Sequence, residues 1–258
     1  MLSFVSQCQE WLSQSPEAMS YLDGRNLTAA TIAAVRLGYF PKKARFTPDE
    51  GDSPELIRQL EKLRGRVIVP VFSEFGKVVG IAGRIPDPAV KGWWNTSFSK
   101  ASHLYGFDLA RKSIYDHNKG YIFEGYFDKI MMGQHGLENS VAAMSTNVGV
   151  RRIGLMARYC DRLCICFDTD QNDSGLLGMF RTLADMYAIG IGRQPSSWKL
   201  TMIQLPMRVD PDEFVCQYGL DAFLALEKPL SEDLLKNAEK AHEQLKWRMK
   251  DRKSKETV

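Results

Sequence analysis

Two short apolar runs, each ending in acid, constrain this chain more than any other feature. Gly120, Tyr121, Ile122 and Phe123 lead into Glu124, and Leu163, Cys164, Ile165, Cys166 and Phe167 lead into Asp168 and Asp170. Runs of this length without polar alternation are the pattern of parallel strands buried on both faces. Helix-like segments between them predict a three-layer α/β domain. Ligands of open parallel sheets bind beyond the carboxyl ends of the strands, so acids about forty residues apart in sequence are expected to share one crevice. Three or more carboxylates in a crevice repel one another unless a cation intervenes, and hard oxygen donors favour Mg²⁺ or Mn²⁺. The expectation is a metal site for phosphate chemistry.

The flanking segments fill in the organisation. Residues 2–40 read as a small helical entry unit, with Ser15 and Pro16 marking one helix start and Thr28 another that runs to about Leu37. After a loop over 41–52, Ser53 and Pro54 restart a helix through Leu63. Residues 66–84 carry a hairpin pattern with its turn at 74–76, and Pro70 demotes the first strand to an edge or a bulge. Gly80 and Gly83 leave little bulk beside Arg84, which allows either tight packing or the close approach of another backbone. Past Glu124 the pattern predicts helices over 126–135, 150–159 and 176–189, and strands over 140–144 and 199–205. Asp210, Pro211 and Asp212 then add acids after a strand end, although they could equally serve as turn or cap residues. Helices are expected over 211–217 and 220–226. A charged helix follows from 230 to about 252, and six basic residues face one acid over 246–255, a solvated face first and a nucleic-acid contact second.

Composition excludes several classes. With 44% hydrophobic and 25% charged residues among 258, the chain reads as globular rather than disordered. No apolar run approaches the roughly 20 residues of a membrane span, so the expected address is the cytoplasm, that of a host if a mobile element encodes the chain. The five cysteines, without any Cys-x-x-Cys pair, argue against a disulfide frame and a structural zinc, and Cys164 and Cys166 read as core. Charge is uneven: 11 Lys/Arg against 5 Asp/Glu over 58–119, but 9 against 12 over 120–226. A basic part and an acidic, metal-ready part suit a polyanion held near catalytic ions, although a merely solvated basic surface fits the same counts. Residues 91–100 interleave Trp93 and Trp94 with Lys91, Asn95 and Lys100, offering stacking faces and phosphate donors together; the two indoles could equally be core, with at least one expected to be exposed or at a partial interface.

Taken in order, several segments resemble the RNA-polymerase core of bacterial and phage DnaG-type primases, which contains a Toprim domain. The entry segment carries Glu17, Ala18, Tyr21, Leu22, Arg25, Leu27 and Thr28, then Leu37, Gly38 and Tyr39. The hairpin carries Arg66, Val67, Pro70, Val71 and the stretch from Gly80 to Arg84, and the basic strip Asn95, Lys100, Leu104, Tyr105 and Gly106. Glu124, Gly125, Tyr126, Phe127 and Asp128 are similar to the family's acidic motif, and Asp168 and Asp170 to its paired aspartates. Leu205, Pro206, Asp210, Pro211, Asp212, Glu213 and Phe214 are similar to its last acidic motif. Departures are two extra residues between Asp170 and Gly175, Ser145 where glycine commonly precedes Thr146, and a Lys91 one place further from Asn95.

The resemblance implies an α/β, Toprim-like parallel-sheet domain over 119–215, preceded by an N-terminal α+β basic subdomain over 1–118 and followed by a short C-terminal helical segment over 216–258. It implies a nucleotidyltransferase that makes RNA primers on a single-stranded DNA template from ribonucleoside triphosphates. Glu124, Asp168 and Asp170 would be catalytic, and these three with Asp210 and Asp212 would hold Mg²⁺ or Mn²⁺, with Asp128 orienting them. Arg84, Lys91, Asn95, Lys100 and Tyr105 would bind substrate or nucleic acid. No zinc module is expected before Ser15, so chain extension is expected ahead of independent initiation, with a separate zinc-binding chain or a replicative helicase as partner. A Toprim-type nuclease explains the acids but not the basic strip; a non-catalytic accessory that binds single-stranded DNA predicts binding without incorporation.

Overall fold

The computed structural model describes residues 1–167, 181–182, 199–206 and 209–230. The expected helices over 176–189 and 230–252 lie, apart from Leu230 and two residues of the first, outside the described residues. The chain divides into two compact units, Met1–Asp108 and Leu109–Val258.

In the first unit, α1 (Leu2–Ser13), α2 (Pro16–Asp23) and α3 (Ala29–Ala34) precede β1 (Gly38–Phe40), and α4 (Pro54–Glu61) precedes β2 (Arg66–Phe72), β3 (Val78–Arg84) and β4 (Trp94–Asn95). Helix starts fall where the sequence places them. The Thr28 hydroxyl accepts the Thr31 N–H, and the Ser53 hydroxyl accepts the Leu56 N–H, satisfying donors that a first turn leaves open. The third helix ends earlier than expected, and Arg36 turns the chain in left-handed backbone into β1, too short a strand to show as a period. The four strands form one antiparallel sheet in the order β1-β2-β3-β4.

Of the edge or bulge expected at Pro70 the structure takes the second: β2 is an interior strand with a register irregularity beside the proline. Two facts make proline tolerable there. Ile81, opposite Pro70, turns its N–H and C=O to Thr96, and β1 pairs only with Arg66, Val67 and Ile68. The missing N–H therefore points to neither neighbour's ladder. A register shift between Val71 and Phe72 follows directly.

Phe4, Val5 and Cys8 of α1 pack with Phe40, Leu60, Ile68, Phe72 and Ile81 as the core of this unit. Gly38 makes the contact with α1 feasible: a Cβ there would lie 2.6 Å from Cys8 Cβ. At Gly80 a Cβ would lie 2.2 Å from the Phe98 ring, so the space beside β3 is filled by the chain's own aromatic.

The second unit takes in most of α5 (Phe107–His117), then β5 (Gly120–Phe123), α6 (Tyr126–Gln134), β6 (Ser140–Ala142), α7 (Val150–Met156), β7 (Arg162–Cys166), β8 (Lys199–Met202), α8 (Pro211–Leu224) and β9 (Lys228–Pro229). Its sheet has the order β6-β5-β7-β8-β9, parallel throughout except for antiparallel β9 at one edge. This is the mixed α/β, parallel-rich architecture expected. Every residue of β5 and β6 is buried, as is every residue of β7 after Arg162, which is why these strands read as unbroken apolar runs. Cys164 and Cys166 are buried thiols 3.8 Å apart on one face of β7. Gly219, at φ +82°, breaks α8 into the two helical pieces the sequence predicts. No helix among the described residues is long and apolar enough to cross a membrane.

One carboxylate ties the far edge of this sheet to its centre. Lys119 Nζ donates to both Glu227 oxygens at 2.7 Å, Tyr121 OH donates at 3.0 Å and Thr201 Oγ1 at 2.5 Å. Tyr121, Cys164 and Thr201 are level across β5, β7 and β8, so Glu227 spans three strands just before β9 begins. Burial opposes its charge, but the bonds from Lys119, Thr201 and Tyr121 outweigh burial and hold its carboxyl below the usual range. The stabilisation is complete above the unfolded pKa, about 4.3, and is lost as pH falls through the lower folded value. Glu227→Gln should lower unfolding free energy by about 1.5–3 kcal/mol at neutral pH. The difference from wild type should shrink in acid, as measured by urea denaturation across pH 3–7.

Candidate active site

The second sheet reverses its direction of winding at β5. From β5 the chain crosses to β6 on one side, whereas β7 lies on the other side and is followed outward by β8. A crevice forms beyond the carboxyl ends of two strands whose connections leave in opposite directions, and this is where such sheets bind ligands. Glu124 is the first residue past β5. Phe167 is the first past β7 and lies one step beyond the pair Phe123 with Cys166, level with Glu124.

Backbone hydrogen bonds hold Glu124 in place. Its carbonyl accepts the Met144 N–H at 2.9 Å, extending the pairing of β5 with β6 past their ends. Gly125 follows as the N-cap of α6, and its N–H donates to Asp128 Oδ2 at 3.0 Å. A Cβ at position 125 would lie 2.5 Å from that same oxygen, so glycine and aspartate fit as a pair. Asp128 is buried, and its described bond caps the helix that starts two residues after Glu124.

Asp168 and Asp170 lie outside the described residues. Asp210 is exposed at the N-cap of α8, and half-buried Asp212 accepts the Glu213 N–H through Oδ1 at 2.9 Å. Among the described residues, no three His, Cys, Asp or Glu side chains gather as a metal site, so Glu124, Asp210 and Asp212 alone do not form one. The donors themselves suit a hard divalent cation, being carboxylates with half-buried Glu124 at the switch point of the sheet.

Arg152 is a polar residue that sequence reasoning passed over. As the second of two adjacent arginines on α7 it carries no sequence signal, yet it is only 3% exposed. Its Nη1 donates to Ser145 Oγ and to the Asn147 carbonyl, both at 3.0 Å, behind the loop that follows β6.

In the first unit, Arg84 ends β3, and its guanidinium lies 5.6 Å from the centre of the Trp93 ring. Its Nε is buried without a hydrogen-bond partner. Trp94 packs instead against the core of the unit, with Lys62 Nζ 5.0 Å from its ring centre. The two indoles thus divide as strand neighbours do, although both are half-buried. Asn95 pairs with Ala82, Lys100 opens a short 3-10 turn (Lys100–Ser102), and Lys91 is exposed. Tyr105 is 3% exposed, so its ring is packed within the protein rather than presented to a strand.

Residues 121–215 match a family model described as Toprim-like. The DNA primase of Rickettsia typhi is 28% identical over 231 residues, covering 82% of this chain and 38% of that protein. The chain thus spans less than half the length of the curated relatives it matches. The E. coli primase catalytic core superimposes with a TM-score of 0.74 at 26% identity, covering 91% of this chain and 80% of that one. A DnaG primase catalytic domain bound to ssDNA shares the fold at a TM-score of 0.72 and 24% identity, covering 87% of this chain and 79% of that one.

Fold and site together define a chain with a Toprim-like α/β domain. More narrowly, the chain is similar in sequence to DNA primases over most of its length and has the fold of the DnaG catalytic core.

Removing the α6 cap has a measurable cost. Asp128→Ala should lower stability by about 1–2 kcal/mol, read from thermal or chemical unfolding, with amide exchange rising first at Gly125.

Proposed function

We propose that this chain is a primase core that joins ribonucleotides into short RNA primers on a single-stranded DNA template, working in the cytoplasm of its cell or host. The observation that carries the reading is the place of Glu124, at the switch point of a parallel sheet in a Toprim-like domain, on a chain with the DnaG core fold. The family's chemistry is metal-dependent, and Glu124 with Asp168, Asp170, Asp210 and Asp212 would hold Mg²⁺ or Mn²⁺. Such ions, when bound, supply a lowered pKa at the primer 3′-hydroxyl and neutralise charge on the triphosphate and leaving pyrophosphate.

The chain's own residues account for the rest. Glu124, whose carbonyl is held by the Met144 N–H and which precedes the capped start of α6, has the backbone that carries its carboxylate set in advance. Arg84 offers a buried, unsatisfied Nε as a donor, a fitting partner for phosphate, while Trp93 against it offers a face for a base. Lys91 and Lys100 add charge for the backbone, and Asn95 an amide for sugar or phosphate. Tyr105 contributes by packing. A replicative helicase or a separate zinc-binding chain is the proposed protein partner.

The test is incubation with single-stranded DNA, Mn²⁺ and labelled ribonucleotides. Elongated products support the reading. Shortened DNA would instead reveal a nuclease, and template binding without incorporation an accessory module. Glu124→Gln should abolish metal-dependent synthesis while circular dichroism and melting stay those of wild type; retained synthesis would remove Glu124 from the site.

A further inference from the structure

The loop over 145–149 is built around a buried cation. It leaves β6 through Met144, at φ +59°, and enters α7 through Gly149, at φ +77°, so left-handed residues bracket it. Within it, Ser145 Oγ donates to the Asn147 carbonyl at 2.6 Å, while Asn147 Oδ1 accepts from the Gly149 N–H at 3.1 Å and from Thr182 Oγ1 at 3.3 Å. Thr182 Oγ1 in turn accepts the Val148 N–H at 3.3 Å. Arg152 reaches this loop from behind, with one nitrogen on both Ser145 Oγ and the Asn147 carbonyl. Thr146, between those two anchored residues, is exposed.

Burial lowers the Arg152 pKa to about 10, which leaves the guanidinium charged at neutral pH. An apolar side chain of similar length would fill the same space without desolvating a charge, so packing alone does not account for arginine here. What arginine adds is a rigid fork of donors that fixes oxygens in direction as well as distance. The residue that opens the loop, Met144, is hydrogen-bonded to the Glu124 carbonyl, so the shape of the loop and the backbone at Glu124 are mechanically joined.

We propose that Arg152 is a positioning residue: its buried guanidinium holds the 145–149 loop, at the end of β6 and bonded to the backbone of Glu124, in the shape that turnover at the acidic site requires. The inference rests on the reading of Glu124 as part of that site. A displacement of about 1 Å in a reacting arrangement costs on the order of a hundredfold in rate, so a loop set from behind can control turnover without touching substrate.

The test uses the full chain carrying R152K, which keeps charge without the fork, or R152M, which keeps volume without charge. Melting, affinity for a single-stranded DNA oligonucleotide, amide exchange over 145–149, and kcat and KM for ribonucleotide incorporation are measured for each. The expected result is exchange at least about tenfold faster in the loop and kcat lower by roughly 30- to 100-fold, with KM and DNA affinity near wild type and R152K retaining more activity than R152M. Unchanged loop exchange overturns the proposal, as does wild-type kcat beside a loosened loop or a loss of kcat that follows the unfolded fraction. If wild-type protein incorporates no nucleotide, the reading as a primase core fails. The link from loop to site is then judged by Mn²⁺ affinity from electron paramagnetic resonance: weaker binding in both variants supports it, and unchanged binding overturns it.

Discussion

The structure of the second unit depends on the parallel pairing of β5 with β7 at the point where the sheet changes winding direction. Parallel strands cannot be joined by a tight turn, so each connection must cross a face of the sheet, and connections leaving in opposite directions open a gap at the carboxyl ends. Glu124 stands in that gap because β5 ends one residue before it. Around the gap the chain spends polar groups on backbone rather than on solvent: Asp128 on the Gly125 N–H, Met144 N–H on the Glu124 carbonyl, and Arg152 on the loop after β6. A carboxylate meant to hold a cation gains from such an arrangement, because its backbone is set before any ligand arrives.

At the other end of the strands the same economy of polar groups serves stability. Glu227 accepts hydrogen bonds from three side chains on or beside β5 and β8, joining the antiparallel edge strand to the parallel centre. The arrangement separates tasks along the strand axis: Glu227 is a closed, partnered carboxylate level with Tyr121 and Thr201, and Glu124 follows the carboxyl end of β5. The first unit separates tasks across a sheet edge, with Trp94 turned into the core and Trp93 turned to Arg84.

Much of the fold was legible because its signals are local. Ser53 before Pro54 and Thr28 before a helical run are caps by their own chemistry, and the interruption at Gly219 follows from a residue that tolerates positive φ. The strand Gly38–Phe40 was missed because its partner, β2, is distant in sequence and three residues have no period. Which of edge or bulge Pro70 would take was not legible for a related reason: whether a proline offends a sheet depends on where neighbouring strands stop, which no window around Pro70 contains. Glu124 was legible as the residue that follows a buried strand, whereas Tyr105, which the resemblance assigns to binding, is packed inside the protein, a burial no local signal gives.

By itself the amino-acid order determined that β5, β6 and β7 are buried strands, that helices begin at Pro16, Ala29 and Pro54, and that Glu124 follows such a strand directly, since apolar runs, caps and turn residues act within a few positions. Tertiary structure alone decided that β5 lies between β6 and β7, that Arg152 is buried while its neighbour Arg151 is exposed, and that Glu227 gathers Lys119, Tyr121 and Thr201. Those outcomes depend on contacts between residues far apart along the chain. Their energies come from packing and desolvation that exist only once the layers have closed over one another.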